Sequence, residues 1–226
     1  MMTIPRFLLL HSGTGWDEKG PRDIGYATSP QARAEVGYAL HYKLPMLEDN
    51  ETGEVVSQLP AIVLSLLVGR NMQADRVQLM RLASDAITIF AEFETAVLSQ
   101  RAGVSGAWSQ FKYRTLFTWM HVHNLWLHSR GPEINNEASL LSGLWLPLCD
   151  FLPSIVPIME KSAPSLHSLV DQTGAHELYR PYRLSKLDPP KAFYADVFLD
   201  GAILKMDAEA GPKPPPSEPF MTPVWD

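Results

Sequence analysis

The segment 72–101 constrains the fold more than any other stretch of the chain. Leu79, Leu82, Ala83, Ala86, Phe90, Phe93 and Val97 recur every three or four residues, while Asp75, Arg76, Arg81, Asp85, Glu92 and Glu94 fall mainly between them. At 3.6 residues per turn this spacing lays the apolar side chains along one face of an α-helix, which must be covered by another element. Gly103 is placed to end the helix. The next segment, Ala107 to His128, carries Trp108, Phe111, Leu116, Phe117, Trp119, Met120, Val122, Leu125, Trp126 and Leu127 and leaves almost no polar face. It reads as the central core helix. With Gly103 to Gly106 as the connection, the two segments predict an antiparallel hairpin of long helices at the centre of a mainly α protein.

Helix signals continue on both sides. Asn136 can cap a helix with a wide apolar face at Leu140, Leu141, Leu144, Trp145 and Leu148. Pro147, Pro153, Pro157 and Pro164 then forbid a long straight helix and predict short kinked ones, the last closing at Gly174. Upstream, Ser29-Pro30 opens a short helix over Ala32 to Tyr42, and Pro60 opens an all-apolar, buried helix over Ala61 to Gly69. Between them, Leu44 to Val56 reads as a polar connector with turn chemistry at Asp49-Asn50 and Gly53. Ala192 to Met206 has two readings: a helix begun at Asp188-Pro189, or a small β-hairpin turning at Asp200-Gly201. The resulting organisation is an irregular N-terminal arm at 1–28, interrupted by Gly13, Gly15, Gly20, Pro21 and Gly25, a helical core at 29–210, and a Pro-rich extended tail at 211–226.

Composition narrows the function classes. The chain has 226 residues, of which 46% are hydrophobic, enough for one sizeable core. Nineteen Lys and Arg stand against 25 Asp and Glu, a net charge of −6, which argues against a generic nucleic-acid binder held by a basic surface. The single cysteine, Cys149, has no internal disulfide partner and fits a reducing compartment or a protein that needs no covalent staple. Phe7 to Leu10 is too short for a secretory leader, and Ala61 to Val68 is far below the roughly 20 residues needed to span a bilayer. The expectation is a soluble, intracellular protein without a membrane partner.

Catalytic and metal motifs are weak. On one helix His121 and His123 point about 200° apart, and His121 and His128 stand about 10.5 Å apart along the axis. They cannot share a zinc ion, and a hydrogen-bonded core or interface role is the expectation for a histidine flanked by Trp119 and Trp126. Gly103-Val104-Ser105-Gly106-Ala107 has alanine where a nucleophile elbow needs glycine, and a helix where it needs a strand. No Gly-Lys-Ser/Thr phosphate loop is present in the sequence. This reading assigns no catalytic or metal-binding residue and names no cofactor.

Two stretches suggest partners instead. Arg180, Arg183, Lys186 and Lys191 with Tyr179, Tyr182 and Tyr194 make a basic stretch interleaved with aromatic residues, a pattern that can hold single-stranded nucleic acid by charge and stacking. In the tail, Phe220, Met221, Val224 and Trp225 form an apolar anchor behind a proline-stiffened strap. The leading expectation is a non-enzymatic, self-assembling structural protein whose arms dock on neighbouring copies, with a coat or nucleocapsid-like subunit as one form. The alternative is a helical enzyme or ligand carrier with an apolar pocket around Trp119, His123 and Trp126 and an unknown cofactor.

Overall fold

A computed structural model of the chain describes residues 3–17, 46–69, 76–130, 136–177, 179 and 206–207. The described part is mainly helical, with one small antiparallel strand pair. In chain order it comprises α1 (Thr3–His11), β1 (Met46–Glu48), β2 (Val55–Ser57), α2 (Leu59–Gly69), α3 (Arg76–Arg101), α4 (Ala107–Gln110), a π-helical turn (Phe111–Thr115), α5 (Leu116–Arg130), α6 (Asn136–Phe151), a 3-10 turn (Pro153–Ile155), α7 (Val156–Ser162) and α8 (Pro164–Ala175).

The helix at the centre is α6. Every residue from Asn136 to Cys149 is buried, and α1, α3 and α8 all pack against it. Gly143 lets a neighbouring backbone approach closely. A Cβ on Gly143 would lie 2.8 Å from the Cα of Ile4, so α1 rests on bare backbone at that point. Pro147 sits inside α6, where it removes one intrahelical hydrogen bond.

This arrangement corrects the expected centre. α3 buries the anticipated stripe of Leu79, Leu82, Ala83, Ala86, Phe93 and Val97, and Ile89 and Ala96 complete it, while Phe90 is only partly buried. The segment after Gly106 is not one straight helix, because the π turn interrupts it. Within α5 only Leu116, Met120, His123, Asn124 and Leu127 are buried, while Val122 and Leu125 are 40% and 55% exposed. α3 meets this segment through Phe93, which makes edge contacts with Trp108 and Phe111 at 5.8 and 5.7 Å. Apolar residues all round this stretch mimic a buried helix in sequence, but only the face of α5 with Leu116, Met120, His123, Asn124 and Leu127 is covered. Helix α6, with Leu140, Leu141, Leu144, Trp145, Leu146 and Leu148 buried and bare backbone at Gly143, takes the centre instead.

The N-terminal arm is also corrected. Residues 3–11 are helical, and Ile4, Phe7, Leu8 and Leu9 lie in the core. Pro5 falls in the first turn, where its missing N–H costs nothing. Nine residues are too few for a stable isolated helix, so packing against α6 and α2 holds α1 in place.

The connector at 44–56 contains the expected turn but also the strand pair. Met46 pairs with Ser57, Leu47 with Val56 and Glu48 with Val55. Between them, Asp49 Oδ1 accepts hydrogen bonds from the amides of Glu51 and Thr52 at 2.8 and 3.0 Å, and Gly53 adopts φ 71°. The prolines after 150 act as foreseen: Pro153, Pro157 and Pro164 each stand in the first turn of a short helix. The 192–206 alternatives, apart from Met206, and the tail at 211–226 lie outside the described residues. Among the described residues, no single helix is long and apolar enough to cross a membrane.

Candidate functional site

The polar side chains buried among these helices are the place to look for chemistry, since an unpartnered polar group there is costly. The first cluster centres on His123, which α5 directs inward between α3 and α6. The Trp145 indole on α6 donates to His123 Nδ1 at 2.9 Å. An indole N–H only donates, so Nδ1 carries the lone pair and the neutral ring holds its proton on Nε2. That N–H faces Asp85 Oδ2 on α3 at 3.3 Å. Burial lowers the His123 pKa from its ordinary 6.5; Asp85 pulls it back up through its hydrogen bond and charge, and Arg81 opposes that pull.

Both ring nitrogens of His123 are therefore engaged, which leaves neither lone pair nor proton for a substrate. The aromatic residues around it are likewise occupied. Trp119 lies 5.8 Å from the His123 ring and donates its own N–H to Glu92 Oε2 at 3.1 Å. Trp126 is covered by the Arg130 guanidinium at 5.3 Å. His121 and His128 are exposed, on other faces of α5. Among the described residues, no group of three His, Cys, Asp or Glu converges as metal ligands would.

A second buried residue, Asn124, joins α5 to α8. Its Oδ1 accepts from the amides of Ser165 and Leu166 at 2.9 and 3.2 Å. Helix α8 begins at Pro164 without a side-chain cap from its own Ala163, so Asn124 supplies the cap from another helix. Nearby, the Ser142 and Thr173 hydroxyls share a hydrogen bond at 2.9 Å between α6 and α8. The buried Tyr179 ring meets Phe7 edge-on at 4.6 Å, and its hydroxyl lies 3.4 Å from Ser139 Oγ.

The third cluster is the most unusual chemically. Lys112, within the π turn, is fully buried and pairs with the buried Asp207: Nζ to Oδ1 is 2.7 Å. Nζ also donates to the Asp207 carbonyl at 3.2 Å and lies 5.1 Å from the centre of the Tyr113 ring. Ser154 completes the carboxylate's surroundings, its hydroxyl donating to Oδ1 at 2.6 Å and its amide to Oδ2 at 3.1 Å. One aspartate thus links three separate stretches of chain. Nothing in the sequence sets Lys112, Asp207 or Ser154 apart as a cluster.

The residues singled out as binding elements, Arg180, Arg183 and Lys186 in the basic stretch and Phe220, Met221, Val224 and Trp225 in the tail, lie outside the described residues. The elbow-like Ser105 is exposed in the loop between α3 and α4, where Gly103 and Gly106 adopt φ 84° and 80°. No family model, characterised protein or solved structure matches the chain.

Proposed function

We propose that this chain is a non-enzymatic structural protein that assembles with copies of itself. The observation that carries the reading is the exposed apolar pair on α5: Val122 at 40% and Leu125 at 55% exposure, on a face shared with the partly buried Trp126. Burying the exposed half of such side chains against a neighbour gains about 1 kcal/mol each before ordering costs. The buried polar groups support the non-enzymatic half, because His123, Asn124 and Lys112 are each committed to joining helices. In this reading α3 and the α4 to α5 segment act as a helical hairpin whose outer face meets a neighbour. Phe220, Met221, Val224 and Trp225 of the tail add a second contact, and a coat or nucleocapsid-like subunit in a reducing, intracellular setting is one form.

The test is sedimentation velocity. The parent protein is expected to sediment as an assembly, and Val122→Glu with Leu125→Glu to shift it to a smaller species with helical circular dichroism retained. A parent protein that stays monomeric at every concentration overturns the reading. The ligand-carrier alternative is less well supported, because the aromatic residues it needs are already packed on one another and on Arg130. Single-stranded nucleic acid is a second partner class, carried by Arg180, Arg183 and Lys186. Its test is filter binding at low salt, where retention must weaken on Arg180→Ala with Arg183→Ala and fall steeply with added salt.

A further inference from the structure

The outer face of α5 is cationic as well as apolar. Thr118, His121, Val122, Leu125 and His128 follow one another at helical spacing, and all are exposed. The exposed Arg114 opens this face, and the exposed Arg130 closes it with its guanidinium over the Trp126 ring. No Asp or Glu occurs between Glu94 and Glu133, in a chain whose net charge is −6. Glu92 of α3 accepts from the Trp119 indole.

The hairpin of β1 and β2 has the opposite character. Residues 48 to 54 are all exposed and include Glu48, Asp49, Glu51 and Glu54, while no Lys, Arg or His occurs from Leu44 to Gly69. Asp49 is committed to the turn: its carboxylate accepts from the amides of Glu51 and Thr52, and its carbonyl from the amide of Gly53 at 2.7 Å. The turn is thereby fixed, with Glu48, Glu51 and Glu54 exposed around it. Among the described residues the ion pairs are those of Lys112 with Asp207 and His123 with Asp85, so Arg114, Arg130 and these glutamates enter none. The hairpin leads into α2, which packs on α1 and α3, whereas α5 packs on α8. One copy therefore carries the two complementary charges on separate elements. They also match in extent: Arg114 to Arg130 covers about 24 Å of helix, and Met46 to the turn reaches about 20 Å.

We propose that the acidic hairpin of one copy docks on the outer face of α5 of the next, its glutamates meeting Arg114 and Arg130 around a centre formed by Val122 and Leu125. This rests on the self-assembly reading and names the element that covers that face. Pairing α5 with itself would instead set two arginine-bearing faces together with no acid to offset them. Because hairpin meets helix, the contact is heterologous, and its repetition builds a ring or a filament rather than a closed dimer.

Charge reversal at these surface residues tests the docking. Glu51→Lys with Glu54→Lys converts the hairpin, and Arg114→Glu with Arg130→Glu converts the face. Each double variant alone is expected to weaken assembly about 10-fold or more in sedimentation velocity, because like charges then meet. In an equimolar mixture the lysine hairpin meets the glutamate face and the native hairpin meets the native face, so assembly should return toward that of the parent protein. Raising salt from about 0.1 to 1 M should also weaken the parent assembly, since the screening length contracts from about 10 to 3 Å. If the arginine variant loses helical circular dichroism, the hairpin variant, which alters only an exposed turn, and the salt series decide the matter. Charge variants that assemble like the parent, a mixture as weak as its components, or an assembly indifferent to salt overturns the docking and leaves the self-assembly reading standing. A parent protein that stays monomeric at every concentration overturns both.

Discussion

The indole of Trp145 and the imidazole of His123 form a directional pair: the tryptophan donates at 2.9 Å, and the histidine accepts only while its Nδ1 is unprotonated. Protonating His123 both breaks that bond and places a cation at a fully buried position. Its folded pKa is below 6.5 and its unfolded value is the ordinary 6.5, so near and below that pH the unfolded state binds more protons. Stability should fall as the pH drops through 6.5 and level off below the folded pKa. His11, also lowered by burial, contributes in the same direction. Urea midpoints across pH 5 to 8 should therefore slope less in His123→Asn, which cannot titrate, than in the parent. Equal slopes would show that His123 is not buried as neutral imidazole.

Asp207→Ala removes one partner of a pair whose side chains are 0% and 2% exposed. It should cost about 3 to 5 kcal/mol, because Lys112 is left charged and unpaired. Lys112→Met with Asp207→Leu should recover part of this loss but not all, since Ser154 still lacks an acceptor for its amide and hydroxyl. Chemical denaturation of the three proteins reads the order directly.

Gly143→Ala tests the contact between α1 and α6. Its new Cβ would meet the Ile4 backbone at 2.8 Å, which a side-chain rotation cannot relieve. A loss of about 1 to 3 kcal/mol is expected, although alanine is the better helix former. A stabilised variant would show that α1 does not rest on α6 there.

Asn124→Ala should uncap α8 at a cost of about 0.5 to 2 kcal/mol, with faster amide exchange at Ser165 and Leu166. Asn124→Asp keeps an acceptor in place and should protect both amides again. Unchanged exchange in the alanine variant would mean that water replaces the cap.

The legible parts of this fold were those decided locally. The stripe on α3 appears because burial at Leu79, Leu82, Ala83, Ala86, Phe93 and Val97 follows one helical period. The turn at Asp49 to Gly53 is legible from its residue types, but the three-residue strands flanking it are too short to show alternation. In α1 the spacing of Ile4, Phe7 and Leu8 is helical, yet the glycines that follow suggest irregular chain. The buried polar pairs depend on distance in sequence. Helical geometry separates His123 from His121 and His128, but nothing near Lys112 points to an aspartate 95 residues away. A lysine ordinarily extends its charge to solvent, so only the fold reveals that this one does not.

The π turn at Phe111–Thr115 is in effect a single-residue insertion that sets phase between two helical stretches. Just before it and at its first residue, Trp108 and Phe111 make edge contacts with Phe93; after it, His123 and Asn124 point to α6 and α8. Adding or deleting a residue in α5 beyond the turn would rotate one stretch against the other by about 100°. Either the aromatic cluster or the histidine and its neighbouring cap would then face solvent. A chain built this way tolerates substitution along α5 far better than a change in its length.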